Sequence, residues 1–122
     1  MHEKKKKRLD GAIDSFIEYK WKFPANKNEL KEFVKAKMIE KVKIESNKTI
    51  RFCSNLQENL LLLAKHLSEL YSIEAKVSNA RFNGIGTKYF EFNINKKAEI
   101  EKLINQGLIS EKQMQRFFEL TA

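Results

Sequence analysis

The sequence predicts an α+β fold in which two β-hairpins form one antiparallel sheet with helices packed on one face. Three observations predict it. Apolar residues recur at helical spacing in five segments, they alternate with polar residues in four others, and the two alternating pairs flank the most leucine-rich helix. The predicted order is therefore α-α-ββ-α-ββ-α-α, and the second face of the sheet is expected to be polar and open to solvent.

Amphipathic helices are predicted where apolar residues recur three or four positions apart. Leu9 and Ile13 share one side of the first helix, and Leu60, Leu63 and Leu67 share one side of the central helix. The central helix is therefore expected to be the main packing element. The predicted helices cover residues 9–20, 28–39, 55–72, 96–106 and 110–120.

The helix ends are predicted from capping residues. Asn26 or Asn28 is the expected N-cap of the second helix. Ser54 and Ser110 each precede a glutamine by three residues, which is a capping-box pattern. Gly107 fits the position just after a helix, where a left-handed backbone favours glycine.

Strands are predicted where the pattern alternates. Val42 and Ile44 are expected to point inward, and Phe90 and Phe92 form the inner face of the second hairpin. Phe82 is also expected in the core. The predicted strands cover residues 41–46, 49–54, 74–82 and 87–94, with a two-residue turn at 47–48 and a loop at 83–86.

Composition predicts one domain, residues 9–122, preceded by a basic flexible tail at residues 1–8. The chain has 122 residues, 42% of them hydrophobic and 33% charged, as in ordinary globular proteins. Its longest apolar run has five residues (60–64), far below the roughly 20 that a membrane span needs. The single cysteine, Cys53, excludes an internal disulfide framework and a multi-cysteine zinc site. We expect an intracellular protein, cytoplasmic or nucleoid-associated.

The positive charge is concentrated in one half of the chain. Residues 1–51 hold 15 Lys/Arg and 8 Asp/Glu, net +7, whereas residues 52–122 hold 9 and 8, net +1. Such an excess favours a polyanionic partner. No membrane partner is expected, because the stretch at residues 9–21 fits a membrane-surface helix poorly.

The open face of the predicted sheet is the candidate binding surface. Cationic side chains pair with phosphates, and Arg, Asn, Ser and Thr also hydrogen-bond base edges. A two-stranded ribbon fits the major groove of duplex DNA. Tyr89 is the one aromatic residue expected there, and a single aromatic residue disfavours a face on which the unpaired bases of a single strand stack. RNA stays open as a ligand. The candidate nucleic-acid-binding residues, tail included, are Lys4, Lys5, Lys6, Lys7, Arg8, Lys41, Lys43, Lys48, Thr49, Arg51, Lys76, Ser78, Arg81, Lys88, Tyr89 and Asn93.

The residues from 49 to 118 resemble a LAGLIDADG domain. The resemblance lies in Ile-Arg-Phe-Cys-Ser-Asn (50–55) before the leucine-rich helix, Tyr-Phe-Glu-Phe-Asn-Ile (89–94), and Ile-Ser-Glu-Lys-Gln (109–113). That family, which comprises homing endonucleases and DNA-binding regulators derived from them, has the order α-ββ-α-ββ-α. The resemblance implies a saddle-shaped sheet that lies in the DNA major groove.

The family's signature motif can be laid on residues 9–17, where Leu9, Gly11, Ile13 and Asp14 match. Phe16 stands where active enzymes carry the metal-binding acid, so the resemblance implies a DNA binder without catalytic activity and without a cofactor. The family's dimers pack through this helix. The resemblance therefore implies a homodimer with Gly11, Ala12 and Ser15 at the interface.

Three alternatives stay open. In an active endonuclease, Asp10 or Asp14 would hold Mg²⁺, since the two carboxylates lie four residues apart on one side of the first predicted helix. In a winged-helix DNA binder, the first predicted hairpin would be the wing. In a protein–protein interaction module, the lysines would serve solubility alone.

Overall fold

The computed structural model describes residues 18–122, and this part of the chain contains four α-helices and a four-stranded antiparallel sheet. The prediction of an α+β fold is thus confirmed at the level of class. The helices are α1 (Lys27–Lys41), α2 (Gln57–Tyr71), α3 (Lys97–Asn105) and α4 (Glu111–Thr121), and the strands are β1 (Ile50–Ser54), β2 (Lys76–Val77), β3 (Arg81–Phe82) and β4 (Lys88–Ile94).

Three of the four predicted helix-end residues are confirmed, namely Asn26, Ser110 and Gly107. The Asn26 side chain accepts hydrogen bonds from two N–H groups in the first turn of α1, and the Ser110 hydroxyl accepts one in α4. Gly107 follows α3 with φ +70°, a backbone conformation that L side chains rarely adopt. The predicted capping box at Ser54 is wrong: α2 is capped by Leu56, and the Ser54 hydroxyl accepts the Leu56 N–H at 3.2 Å.

The sheet is organised around β4, which pairs with all three other strands. β1 lies antiparallel to it over its whole length, with Phe52 opposite Phe92 and Cys53 opposite Glu91. Strand residues alternate between the two faces, so the phenylalanines point to the helices while Cys53 and Glu91 point to the open face. Because β1 is fully paired with β4, it belongs to the central part of the sheet.

The predicted strand at residues 74–82 is interrupted. β2 and β3 both pair with β4, but the register shifts by one residue between them. At the break, the Ser78 N–H donates to the Glu91 carbonyl, and the Ser78 hydroxyl accepts the Glu91 N–H, each at 2.9 Å. This bulge turns Arg81 to the open face, opposite Tyr89.

The predicted strand at residues 41–46 is reduced to one bridge, between Ile44 and Ile50, because α1 continues to Lys41. The predicted two-residue turn is a three-residue loop, with Lys48 at φ +67°. Helix α4 closes this edge of the sheet. The Ile44 N–H donates to Gln113 Oε1 at 2.8 Å, and Arg116 Nε donates to the Ile44 carbonyl at 2.6 Å.

One core joins the inner face of the sheet to the helices. Leu60, Leu63 and Leu67 of α2 are fully buried, as the sequence predicts. Phe92 stacks on Phe52 with ring centroids 4.6 Å apart. The prediction that Phe82 lies in the core is wrong: Phe82 is 64% exposed, because β3 packs chiefly against β4 and not against the helices.

Residues 18–24 have no regular secondary structure, so the predicted helix at 9–20 does not include its last three residues. The rest of that helix and the predicted tail at 1–8 lie outside the described residues. The described segment is fixed by Asn59 of α2, which is fully buried. Its Oδ1 accepts the Trp21 N–H at 2.9 Å, and its Nδ2 donates to the Tyr19 carbonyl at 3.0 Å.

Replacing Asn59 with alanine should lower the free energy of unfolding by about 1–3 kcal/mol, because it leaves the buried Trp21 N–H without its acceptor. Urea unfolding followed by tryptophan fluorescence measures this. Asn105→Ala is the matched control, since Asn105 is exposed at the end of α3, and its effect should stay within about 0.5 kcal/mol. Equal effects of the two changes would contradict the assigned role of Asn59.

Helix α3 is attached to the link after α2 by a carboxylate. Glu99 Oε2 accepts the Glu74 N–H at 2.8 Å, and Glu99 Oε1 pairs with Lys102 Nζ at 3.1 Å. Lys102 also donates to the Ser72 carbonyl at 2.9 Å. The hydrogen bond from the Glu74 N–H, together with Lys102, holds the pKa of the Glu99 carboxyl below its ordinary value although burial opposes this.

Because the pKa of Glu99 is lower in the folded state than in the unfolded chain, ionised Glu99 stabilises the fold above its ordinary pKa of about 4.3. That contribution is lost as the pH falls through the lower, folded-state pKa. Wild type should therefore exceed Glu99→Gln in free energy of unfolding at pH 7, and the difference should shrink below about pH 4. Urea titrations at a series of pH values measure it, and a difference that is constant with pH would contradict this role.

Candidate nucleic-acid interface

The candidate interface is the face of the sheet turned away from α2. Alternation along β1 and β4 buries one set of side chains and leaves the other set exposed or half-buried. Cross-strand pairing with β4 then places the outward residues of the four strands side by side. The outward-facing side chains are Arg51 and Cys53 of β1, Tyr89, Glu91 and Asn93 of β4, Lys76 of β2, and Arg81 of β3.

Glu91 lies at the centre of this face between two arginines from opposite sides of β4. Its Oε1 is 2.8 Å from Nε of Arg81, and its Oε2 is 3.7 Å from Nε of Arg51. The Glu91 side chain is only 13% exposed, whereas those of Arg51 and Arg81 are 50% and 55% exposed. The acid is thus sheltered within the sheet surface, and the two guanidinium groups extend toward solvent.

The amide of Asn93 supports one of these arginines. The Nε–H of Arg51 donates to Asn93 Oδ1 at 3.2 Å, while Glu91 Oε2 lies 3.7 Å from the same nitrogen, so the amide accepts the hydrogen bond and the carboxylate adds an ion pair. Lys76 lies opposite Asn93 and is exposed. These side chains offer donors suited to phosphates and to base edges.

Cys53 faces the same surface directly opposite Glu91. Burial raises the pKa of the Cys53 thiol, and the neighbouring Glu91 carboxylate raises it further. The thiol is therefore neutral at physiological pH, which disfavours a role as nucleophile or metal ligand.

Most of the predicted strand residues meet on this face. Ile44 and Ile50, which form the bridge at the edge of β1, are both buried on the inner side. Lys43 and Thr49 are their neighbours in the chain, so alternation places these two residues on the side of the open face. Ser78 lies at the bulge, where its hydroxyl is engaged with backbone groups of Glu91 and Asn79.

Three predicted lysines lie elsewhere. Lys41 is the last residue of α1, and its Nζ pairs with the largely buried Glu18 at 3.1 Å. Lys48 is at the loop between Ile44 and β1. Lys88 points to the opposite side of β4, with its Nζ 5.9 Å from the ring centroid of Phe90. The candidate residues outside the described part of the chain are Lys4, Lys5, Lys6, Lys7, Arg8, Asp10, Asp14, Gly11, Ala12 and Ser15.

The pairing of one carboxylate with two arginines was not predicted from the sequence. The alternation in β4 places Glu91 on the outer face, but the partners depend on long-range contacts. Arg51 meets it through the β1–β4 register, and Arg81 meets it only because the bulge at Ser78 shifts β3.

Within residues 18–122, no group of three or more His, Cys, Asp or Glu side chains is placed to hold a metal ion. In the same part of the chain, no helix has the length and apolar character needed to cross a membrane.

Comparisons of the chain with models of protein families, with curated proteins and with solved structures find no significant match. Among the described residues, the groups suited to a ligand are concentrated on the open face of the sheet.

Proposed function

We propose that this protein binds double-stranded DNA through the open face of its sheet. The observation that carries the proposal is the convergence of Arg51, Arg81 and Asn93 around Glu91, on a face that also carries the exposed Lys76. Arginine donors paired with guanine are the commonest specific contacts in the major groove, and lysines supply phosphate contacts.

The outward residues favour a duplex over a single strand. Stacking of unpaired bases needs two or three aromatic side chains on the binding face. Tyr89 is the aromatic residue that alternation places there, while Phe52, Phe90 and Phe92 are buried on the inner face. An unstacked strand would therefore gain little on this surface, whereas the edges of stacked base pairs can be contacted by arginine and asparagine.

The finer proposal is a LAGLIDADG-like DNA binder. With β2 and β3 counted as one interrupted strand, the element order from the bridge at Ile44 onward is ββ-α-ββ-α-α, which supports it. Two predictions for residues outside the described range belong to the same proposal: a homodimer packed through Gly11, Ala12 and Ser15, and phosphate contacts from the tail at residues 1–8. No catalytic step and no cofactor is part of the proposal.

The test is a titration of affinity against salt concentration. Random duplex DNA, single-stranded DNA and duplex RNA of equal length are bound to the full chain at several salt concentrations. The proposal predicts that duplex DNA binds tightest and that the logarithm of its association constant falls linearly with the logarithm of salt. Equal, weak binding of all three at about 150 mM salt would overturn it and favour a protein partner.

A further inference from the structure

A carboxylate at the centre of a surface proposed to bind DNA weakens the electrostatic attraction of that surface for the phosphates. Glu91 lowers the positive charge where Arg51 and Arg81 would meet phosphates, and it is sheltered so that it stays between them. A face that used charge only would bind DNA more tightly without this carboxylate. The position of Glu91 therefore suggests a role other than attraction.

The geometry of the two ion pairs indicates that role. Both arginines approach Glu91 through Nε, the guanidinium nitrogen nearest the side-chain stem. The two Nη groups at the far end carry the remaining donors of each guanidinium group. A guanine accepts two such donors at its O6 and N7 atoms in the major groove, and this contact requires the guanidinium plane to be held in place.

Building on the proposed function, we propose that Glu91 is a positioning residue that orients Arg51 and Arg81 so that the Nη groups of each bind a guanine base edge. Asn93 also fixes Arg51, because its Oδ1 accepts the Nε–H of Arg51 at 3.2 Å. Both guanidinium groups contact one carboxylate, at 3.7 and 2.8 Å, so the two guanines are neighbours or near neighbours in the bound site.

The test uses the full chain and selection of binding sites from random duplex DNA. Wild type, Glu91→Ala, Glu91→Gln, Arg51→Ala and Arg81→Ala are compared, each after its fold has been checked by thermal unfolding. Two quantities are measured for each protein: the base preference at each position, and the affinity for the selected site relative to random duplex.

The expected result has two parts. Arg51→Ala and Arg81→Ala each flatten the guanine preference at one position, and both Glu91 variants flatten it at the same two positions. The Glu91 variants lose about 10-fold in affinity for the selected site relative to random duplex. Their affinity for random duplex stays equal to that of wild type or rises, which a merely misfolded variant would not show.

Several outcomes would overturn the inference. One is full selectivity in both Glu91 variants. Another is a changed preference at a position that neither arginine variant affects, which would mean that Glu91 itself accepts a hydrogen bond from a base. Wild-type binding without base preference overturns the inference and leaves the proposed function standing. If wild type binds no duplex at all, the result overturns both the inference and the proposed function.

Discussion

Replacing Arg51 and Arg81 together with alanine should weaken binding to the selected duplex site by roughly two orders of magnitude. Each arginine that contacts a base is worth about 1–3 kcal/mol, and the double variant also leaves the Glu91 carboxylate unpaired on the binding face. Fluorescence anisotropy with a labelled duplex measures the change.

The matched control removes the same amount of charge from another surface. Lys65 and Lys112 are exposed on the helices α2 and α4, and neither belongs to the outward-facing side chains of the sheet. The variant Lys65→Ala/Lys112→Ala should lose less than about threefold in affinity at physiological salt, because distant exposed charges are screened there. If this control weakens binding as much as the arginine pair does, binding depends on net charge and not on the open face.

Replacing Phe92 with alanine should give the largest loss of stability of any single change considered. Its ring is fully buried between the sheet and the helices, and it stacks on Phe52. Removing a buried phenylalanine side chain costs about 3–5 kcal/mol through lost burial and the cavity that remains. A domain of this size is stabilised by only about 5–15 kcal/mol, so the urea midpoint should fall by a large fraction.

Phe118 offers the matched control for this change. It is the same residue type in α4 but is 53% exposed, so Phe118→Ala should cost less than about 1 kcal/mol. Phe92→Leu keeps most of the buried volume and should cost less than Phe92→Ala, which gives a measurable value if the alanine variant does not fold. Similar midpoints for Phe92→Ala and Phe118→Ala would contradict the described core.

Local patterns predicted much of this fold because the relevant forces act over short stretches of chain. The leucine spacing placed α2, and the alternation in β4 assigned Phe90 and Phe92 to the core. Asn26 and Gly107 marked helix ends because capping depends on a few neighbouring residues. The α+β class follows from these elements alone.

The departures arise where a distant residue decides the local structure. Ser78 breaks the third predicted strand because its hydroxyl takes the place of a backbone acceptor for Glu91, which lies thirteen residues away. Ile44 makes one bridge to β1, and its own N–H and carbonyl bond to Gln113 and Arg116 of α4, about seventy residues away in the chain. Such contacts leave no periodic signal in the sequence.

The candidate site likewise combines features that local patterns predict with features that depend on distant contacts. Alternation places Arg51, Asn93 and Glu91 on the outer face, and the sequence is sufficient for that. Arg81 reaches Glu91 only because of the bulge. Lys41 is not part of the face, because it is the last residue of α1 and its Nζ pairs with Glu18. The sequence therefore predicts which residues lie on the face, but it does not predict that Glu91 pairs with both arginines.

The measurement that tests the central claim most directly is an NMR titration of the isotopically labelled protein with duplex DNA. We predict that the largest shifts fall on the open face of the sheet, at the side-chain signals of Arg51, Arg81 and Asn93, while those of Lys65 and Lys112 change little. Shifts concentrated on the helices, or no shifts at DNA concentrations that saturate binding, would contradict the claim that the sheet is the DNA-binding surface.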